Sequence, residues 1–172
     1  MVSVALAAGC DPRHPTSGGG TAPAGVRLEL SVSEVPEGDP TEASLRVVNG
    51  GSVDVHYSPV VFIERRSDGT WDRQFRARTG QGSQAPRTTP TDAPSDPLSF
   101  DALIATYANA GEQGPLERIA IPALAAGQYR VTRKVRADGA LASTKPARVV
   151  ARFIVASAQD PAGVTTSTSA PG

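Results

Sequence analysis

Phe62-Ile63-Glu64-Arg65-Arg66-Ser67-Asp68-Gly69-Thr70-Trp71 carries the pattern of a β-hairpin at the centre of a sheet. Val60, Val61, Phe62 and Ile63 place apolar side chains on both faces, as a central strand requires. Ser67-Asp68-Gly69 then supplies a hairpin turn, because glycine accepts positive φ with no Cβ clash. The chain returns over Thr70 to Phe75, so two long neighbouring strands are predicted, Val53 to Arg66 and Thr70 to Phe75.

Working outward, the same period of two recurs. Leu28, Leu30 and Val32 alternate with Arg27, Glu29, Ser31 and Ser33. Val35 to Thr41, with two prolines and Gly38, reads as a turn. Ala43, Leu45 and Val47 form the next inward row, closed by Asn49-Gly50-Gly51. Downstream, Leu116 to Ile121 is a short strand. Gln128 to Arg136 carries Tyr129, Val131 and Val135 on one face. Ala147 to Val155 turns Val149, Ala151, Phe153 and Val155 inward.

Between Arg76 and residue 97 the periodicity is lost, and Gly, Pro, Gln, Ser and Thr predict a long loop. Leu98, Phe100, Leu103, Ile104 and Tyr107 then recur at helical spacing behind Asp96-Pro97, which predicts a short helix with Asp as its N-cap; a strand-like crossing segment is the alternative. The expectation is an all-β, antiparallel sandwich of about seven strands with a long insertion between strands four and five, covering residues 76–115.

Composition sets the bounds. Aromatic residues are 5% of the chain, so the core must be aliphatic. Lys plus Arg and Asp plus Glu both number 17, which argues against bulk nucleic-acid binding. The single cysteine, Cys10, excludes an internal disulfide.

Residues 1–10 run through a small apolar segment into Leu6-Ala7-Ala8-Gly9-Cys10, which resembles the end of a bacterial lipoprotein signal. That resemblance implies lipidation of Cys10, export, and anchoring at the outer face of the cell membrane. Residues 1–9 hold no Lys or Arg, so a longer signal is expected upstream. Residues 11–25 read as a Pro/Gly/Ser/Thr tether that includes His14, residues 26–156 as the folded domain, and residues 157–172 as a disordered tail.

Three pieces carry a further resemblance: Leu45-Arg46-Val47-Val48-Asn49-Gly50-Gly51-Ser52, the Phe62–Trp71 hairpin, and Leu124-Ala125-Ala126-Gly127-Gln128-Tyr129-Arg130-Val131 followed by Phe153-Ile154-Val155. Together they resemble a bacterial immunoglobulin-like domain of exported proteins. The resemblance implies a fold and a location, with no catalytic residues and no common ligand. Tyr129 resembles the tyrosine corner of such domains, a structural role, and Trp71 is assigned a structural role beside the turn.

No Gly-x-Ser-x-Gly, phosphate loop or His-Glu-x-x-His occurs, and no cofactor or metal site is expected. His56 is the body's only histidine and reads as structural or solvated. Asp92, Asp96 and Asp101 read as loop-solvating carboxylates. The expected function is therefore non-enzymatic: an envelope binding module that contacts an envelope protein or an anionic polymer.

Two surfaces could carry that function. Arg130, Lys134, Arg136, Arg148 and Arg152 would share one solvent face if the last two strands pair; the plainer reading is a solvated face balanced by nearby Glu. Phe100, Ile104 and Tyr107 could anchor a partner from the insertion. In the alternative reading, the protein is an exported inhibitor or accessory protein whose 76–115 loop engages a protease or hydrolase.

Truncating an inward residue of the second strand, Leu45→Ala, is expected to cost about 2–5 kcal/mol in urea unfolding; a cost below 1 kcal/mol would place Leu45 outside the core.

Overall fold

The hairpin closes as a two-residue turn. Asp68 and Gly69 both have positive φ, 48° and 81°, and Ser67 pairs with Thr70. This is the geometry of a type I′ turn, whose twist matches that of the strands it joins.

The structure, a computed structural model, describes residues 22–82, 84–91, 106–140 and 146–157. Among these the regular elements are all strands: β1 (Val26–Leu30), β2 (Glu34–Pro36), β3 (Thr41–Asn49), β4 (Val55–Ser67), β5 (Thr70–Arg78), β6 (Arg87–Pro90), β7 (Thr106–Ala108), β8 (Glu117–Ile121), β9 (Gly127–Ala137) and β10 (Ala147–Ala156).

A three-stranded sheet runs β1-β3-β8. A seven-stranded sheet runs β2-β10-β9-β4-β5-β6, with β7 pairing β4 beyond the end of β5. All pairs are antiparallel except β2 with β10. The large sheet curls around the small one, so that β10 lies against β1 and β6 lies against β8.

Several elements differ from the sequence reading. The supposed turn at Val35–Thr41 begins with β2, which buries Val35 beside Val155. The loop expected from Arg76 starts later, because β5 continues to Arg78 and β6 pairs back against it. β6 hid because it is an edge strand, polar on both faces, and leaves no apolar rhythm. Tyr107, grouped above with a helical pattern, lies in β7, where its backbone pairs with His56 and satisfies the open edge of β4. Leu98, Phe100, Leu103 and Ile104 lie outside the described residues. Upstream, Ala22 packs on the core and the Gly25 carbonyl accepts a bond from Gly50 N, so ordered chain precedes Val26.

The inward rows of the two sheets make one core. Leu28, Ala43, Leu45, Val47, Ile119 and Ile121 from the small sheet face Tyr57, Val61, Ile63, Val131, Val135, Val149 and Phe153 from the large one. Tyr129 stacks on Phe153 at 5.5 Å, and its hydroxyl donates to the Ala125 carbonyl at 2.9 Å.

A charged pair is sealed inside this core. Arg133 and Glu117 are both fully buried, and the Arg133 Nη1 donates to Glu117 Oε2. Their positions follow from strand parity. Arg133 lies between inward Val131 and Val135, and Glu117 two residues before inward Ile119. Other polar atoms of the pair are supplied locally, although Arg133 Nε is buried without a hydrogen-bond partner among the described residues. Gln81 Nε2 donates to Glu117 Oε1 at 3.0 Å, and Arg133 Nη2 donates to Thr79 Oγ1 at 3.2 Å.

An irregularity in β4 lies beside Arg133, which pairs with Val61. Between Tyr57 and Val61 the register against β9 slips around Ser58-Pro59-Val60, a break that also accommodates a proline in a central strand. Tyr57 lies beneath Arg133, 5.0 Å from Cζ to ring centroid, and burial raises its hydroxyl pKa. Gly114 packs directly on that hydroxyl, where any Cβ would collide with it.

Breaking the pair from one side, by Arg133→Met or Glu117→Leu, strands a buried charge. Each single change is expected to cost about 3–5 kcal/mol in urea unfolding, with the double variant recovering most of that loss. Additive losses would show that the two groups do not depend on one another.

Candidate functional site

The outer face of the large sheet gathers the cations. In register across β10, β9, β4 and β5 runs the row Arg152–Arg130–Glu64–Arg73. The next row is Val150–Thr132–Phe62–Arg76, and beyond it Arg148 faces Lys134. Arg136 lies opposite His56, which in turn lies opposite Tyr107. All five basic residues singled out in the sequence therefore share one face, joined by Arg66, Arg73 and Arg76, which the sequence reading left out.

Arg66 shares the outward parity of Phe62 and Glu64, Arg76 pairs with Phe62, and a bulge brings Arg73 to the same face. Ile63 pairs with Phe75 but Glu64 pairs with Arg73, so Gln74 is an extra residue in β5. Phe75 and Ala77 lie on the inner side of that step. Trp71 and Arg73, of the same parity in sequence, lie on the outer side.

Glu64 is the centre of the face. Its carboxylate is only 4% exposed, the single acid that register places among these rows in the described residues. Arg130 Nε donates to Glu64 Oε2 at 2.6 Å, and Arg73 Nε lies 3.9 Å from Oε1. Each guanidinium also lies over an aromatic ring. Arg130 stands 4.4 Å from Trp71 and Arg73 stands 3.8 Å from Phe62. Ring and carboxylate together fix the plane of each fork. The pKa of Arg73 is lowered, first by burial and also by the positive charge of Arg148, while Glu64 opposes the shift.

The solvent face of the small sheet is different. There Glu29 accepts from Arg27 and Arg46, and Glu42 pairs with Arg118. Acids and bases neutralise one another, and the Glu29 pKa is lowered by the bonds from Arg46 and Arg27. The overall balance of charge conceals this segregation.

At the far end of the large sheet, His56 Nε2 donates to Asp138 Oδ1 at 2.7 Å, and its ring lies 4.3 Å from that of Tyr107. Tyr107 is itself exposed, as are Val150 and Ile154 on β10. Trp71 is half-buried beneath Arg130 on the outer face. Cys10, His14, Asp92, Asp96, Phe100 and Asp101 lie outside the described residues.

No family model matches the chain, and no curated protein matches it. Among solved structures, a family 123 glycoside hydrolase from Clostridium perfringens aligns at 11% identity and TM-score 0.36, over 77% of this chain and 28% of the hydrolase. The bacterial superantigen toxic shock syndrome toxin-1 aligns at 10% identity and TM-score 0.39, over 78% of this chain and 100% of the toxin chain. A PapD-like domain of human CEP192 aligns at 11% identity and TM-score 0.27, over 91% and 96% of the two chains. Likenesses this distant carry no argument about what the chain does.

The Asp138 pKa is lowered, chiefly by the bond from His56 and then by the Gly139 amide. A carboxylate with a depressed folded-state pKa contributes stability that is present above its unfolded pKa and lost as pH falls through the folded value. In a side-chain NMR titration Asp138 is expected to protonate below the usual aspartate range, and His56→Phe should move it upward. An unmoved midpoint would remove His56 as the cause.

Proposed function

We propose that this protein is an exported, lipid-anchored, non-enzymatic module with an immunoglobulin-like body, and that it binds an anionic polymer of the cell envelope through the outer face of its seven-stranded sheet. The observation that carries this reading is the row Arg152–Arg130–Glu64–Arg73, with Arg148 and Lys134 two rows along on the same face. One carboxylate sits among several cations on a broad face of paired strands. Such a surface attracts a polyanion and holds it at many weak points.

The contrast with the small sheet strengthens the reading. Surface charges that exist only for solubility tend to be interspersed, as on the small sheet. The Tyr129 hydroxyl bond to Ala125 supports the immunoglobulin-like body, and the Leu6–Cys10 motif supports the lipid anchor.

A surface of this kind binds in a salt-dependent way, because exposed charges are screened within about 8 Å at physiological ionic strength. Binding of the full chain to a soluble anionic polymer is expected at low salt and to weaken steeply at high salt. Arg148→Glu with Arg152→Glu should abolish it, while Arg27→Glu on the small sheet should leave it intact. Equal binding by both variants would exclude the face. In producing cells, Cys10→Ser should move the protein from the membrane fraction to the soluble fraction; continued membrane retention would remove the lipid anchor from the reading.

A further inference from the structure

We infer that the guanidinium groups of Arg73, Arg130 and Arg148 form a subsite for a phosphate group, centred over Glu64 on the outer face of the large sheet. The inference rests on the proposed polyanion-binding face and names the anion that face selects.

The argument begins with the number of donors. Arg73 and Arg130 flank Glu64 from β5 and β9, and Arg130 meets it through Nε. Register places Arg148 on β10, opposite Lys134 and two rows along from Arg152–Arg130, so a third guanidinium borders the pair on the same face, and its charge is felt at Arg73. A carboxylate ligand offers two oxygens. A phosphate offers more acceptors in a tetrahedral array, which suits planar forks that converge from different directions.

Pre-organisation is the second step. Free arginine side chains lose much rotamer freedom on binding. Here Arg130 is already held against Trp71 and Glu64, and Arg73 against Phe62, so part of that entropy is lost on folding. Glu64 neutralises one of the three positive charges. Two remain, close in magnitude to the charge of a phosphate monoester and enough to hold a phosphodiester with one positive charge to spare.

Trp71 also provides the reporter. It is the only tryptophan in the chain, and a guanidinium stands over its ring, so an anion drawn to Arg130 alters its emission. The test uses the full chain at low salt with five probes: inorganic phosphate, a poly(glycerol phosphate) chain, polyglutamate of matched charge density, and vesicles of phosphatidylcholine with or without phosphatidylglycerol. Calorimetry or vesicle sedimentation reads affinity, and fluorescence reads position.

The expected result is that poly(glycerol phosphate) binds at least about ten-fold more tightly than polyglutamate and shifts Trp71 emission. Arg130→Gln and Arg148→Gln should each weaken it by about ten-fold, with Arg27→Gln unchanged. Arg148 makes no bond to Glu64 or Trp71 among those described, so its variant tests the subsite even if Arg130→Gln unfolds. Binding of inorganic phosphate alone, of the polymer, or of the phosphatidylglycerol vesicles tells which source of phosphate the subsite takes, and each supports it. Equal affinity for polyglutamate would overturn phosphate selectivity and leave the polyanion face standing. Polymer binding with no change in Trp71 emission and no effect of either variant would overturn the subsite. Absence of binding to every probe would overturn both readings.

Discussion

The buried pair of Arg133 and Glu117 is the interaction on which the two sheets depend for their alignment. Each charge stands in an apolar row, where an isolated ion would be strongly disfavoured. Only the partner on the opposing sheet makes either position tolerable. β9 and β8 must therefore meet in one register, with the side chains of Thr79 and Gln81 in place around them. A wholly aliphatic interface of the same volume could slide by two residues at little cost; this one cannot. Such a pair contributes specificity of alignment more surely than net stability.

Two irregularities of the large sheet set which side chains reach each of its faces. The slip at Ser58-Pro59-Val60 lies beside Arg133 and carries the Pro59 carbonyl that receives the Thr79 amide and hydroxyl. The bulge at Gln74 then exchanges faces. Without it Trp71 and Arg73 would follow Phe75 toward the core; with it they join Glu64 and Phe62 outside. The buried Arg133 and the exterior Arg130 thus stand on opposite faces of one central strand, β9.

Charge segregation is the third consequence. A chain with equal numbers of acids and bases has no net field from composition alone. Pairing β10, β9, β4 and β5 edge to edge sums the outward cations of four strands around the single carboxylate of Glu64. The cations on the small sheet are spent in ion pairs with Glu29 and Glu42. What distinguishes the two faces is placement.

Strand identity was legible from the chain, because inward residues at alternate positions reveal themselves by period alone: Leu45 and Val47, Ile119 and Ile121, Tyr129, Val131 and Val135. The type I′ turn was legible from Asp68-Gly69, whose backbone preferences are local. Even the buried pair had a signal, since Arg133 and Glu117 occupy inward parity in otherwise apolar rows. Edge strands β2, β6 and β7 were not legible, because their backbone bonds are made with distant partners and their side chains need no apolar rhythm. Of the cationic face, the sequence supplied the β9 and β10 residues by parity. It could not supply Arg66, Arg73 and Arg76, nor the central place of Glu64. Those depend on which strands become neighbours and on a one-residue bulge, and neighbour choice is a long-range property that local periodicity does not carry.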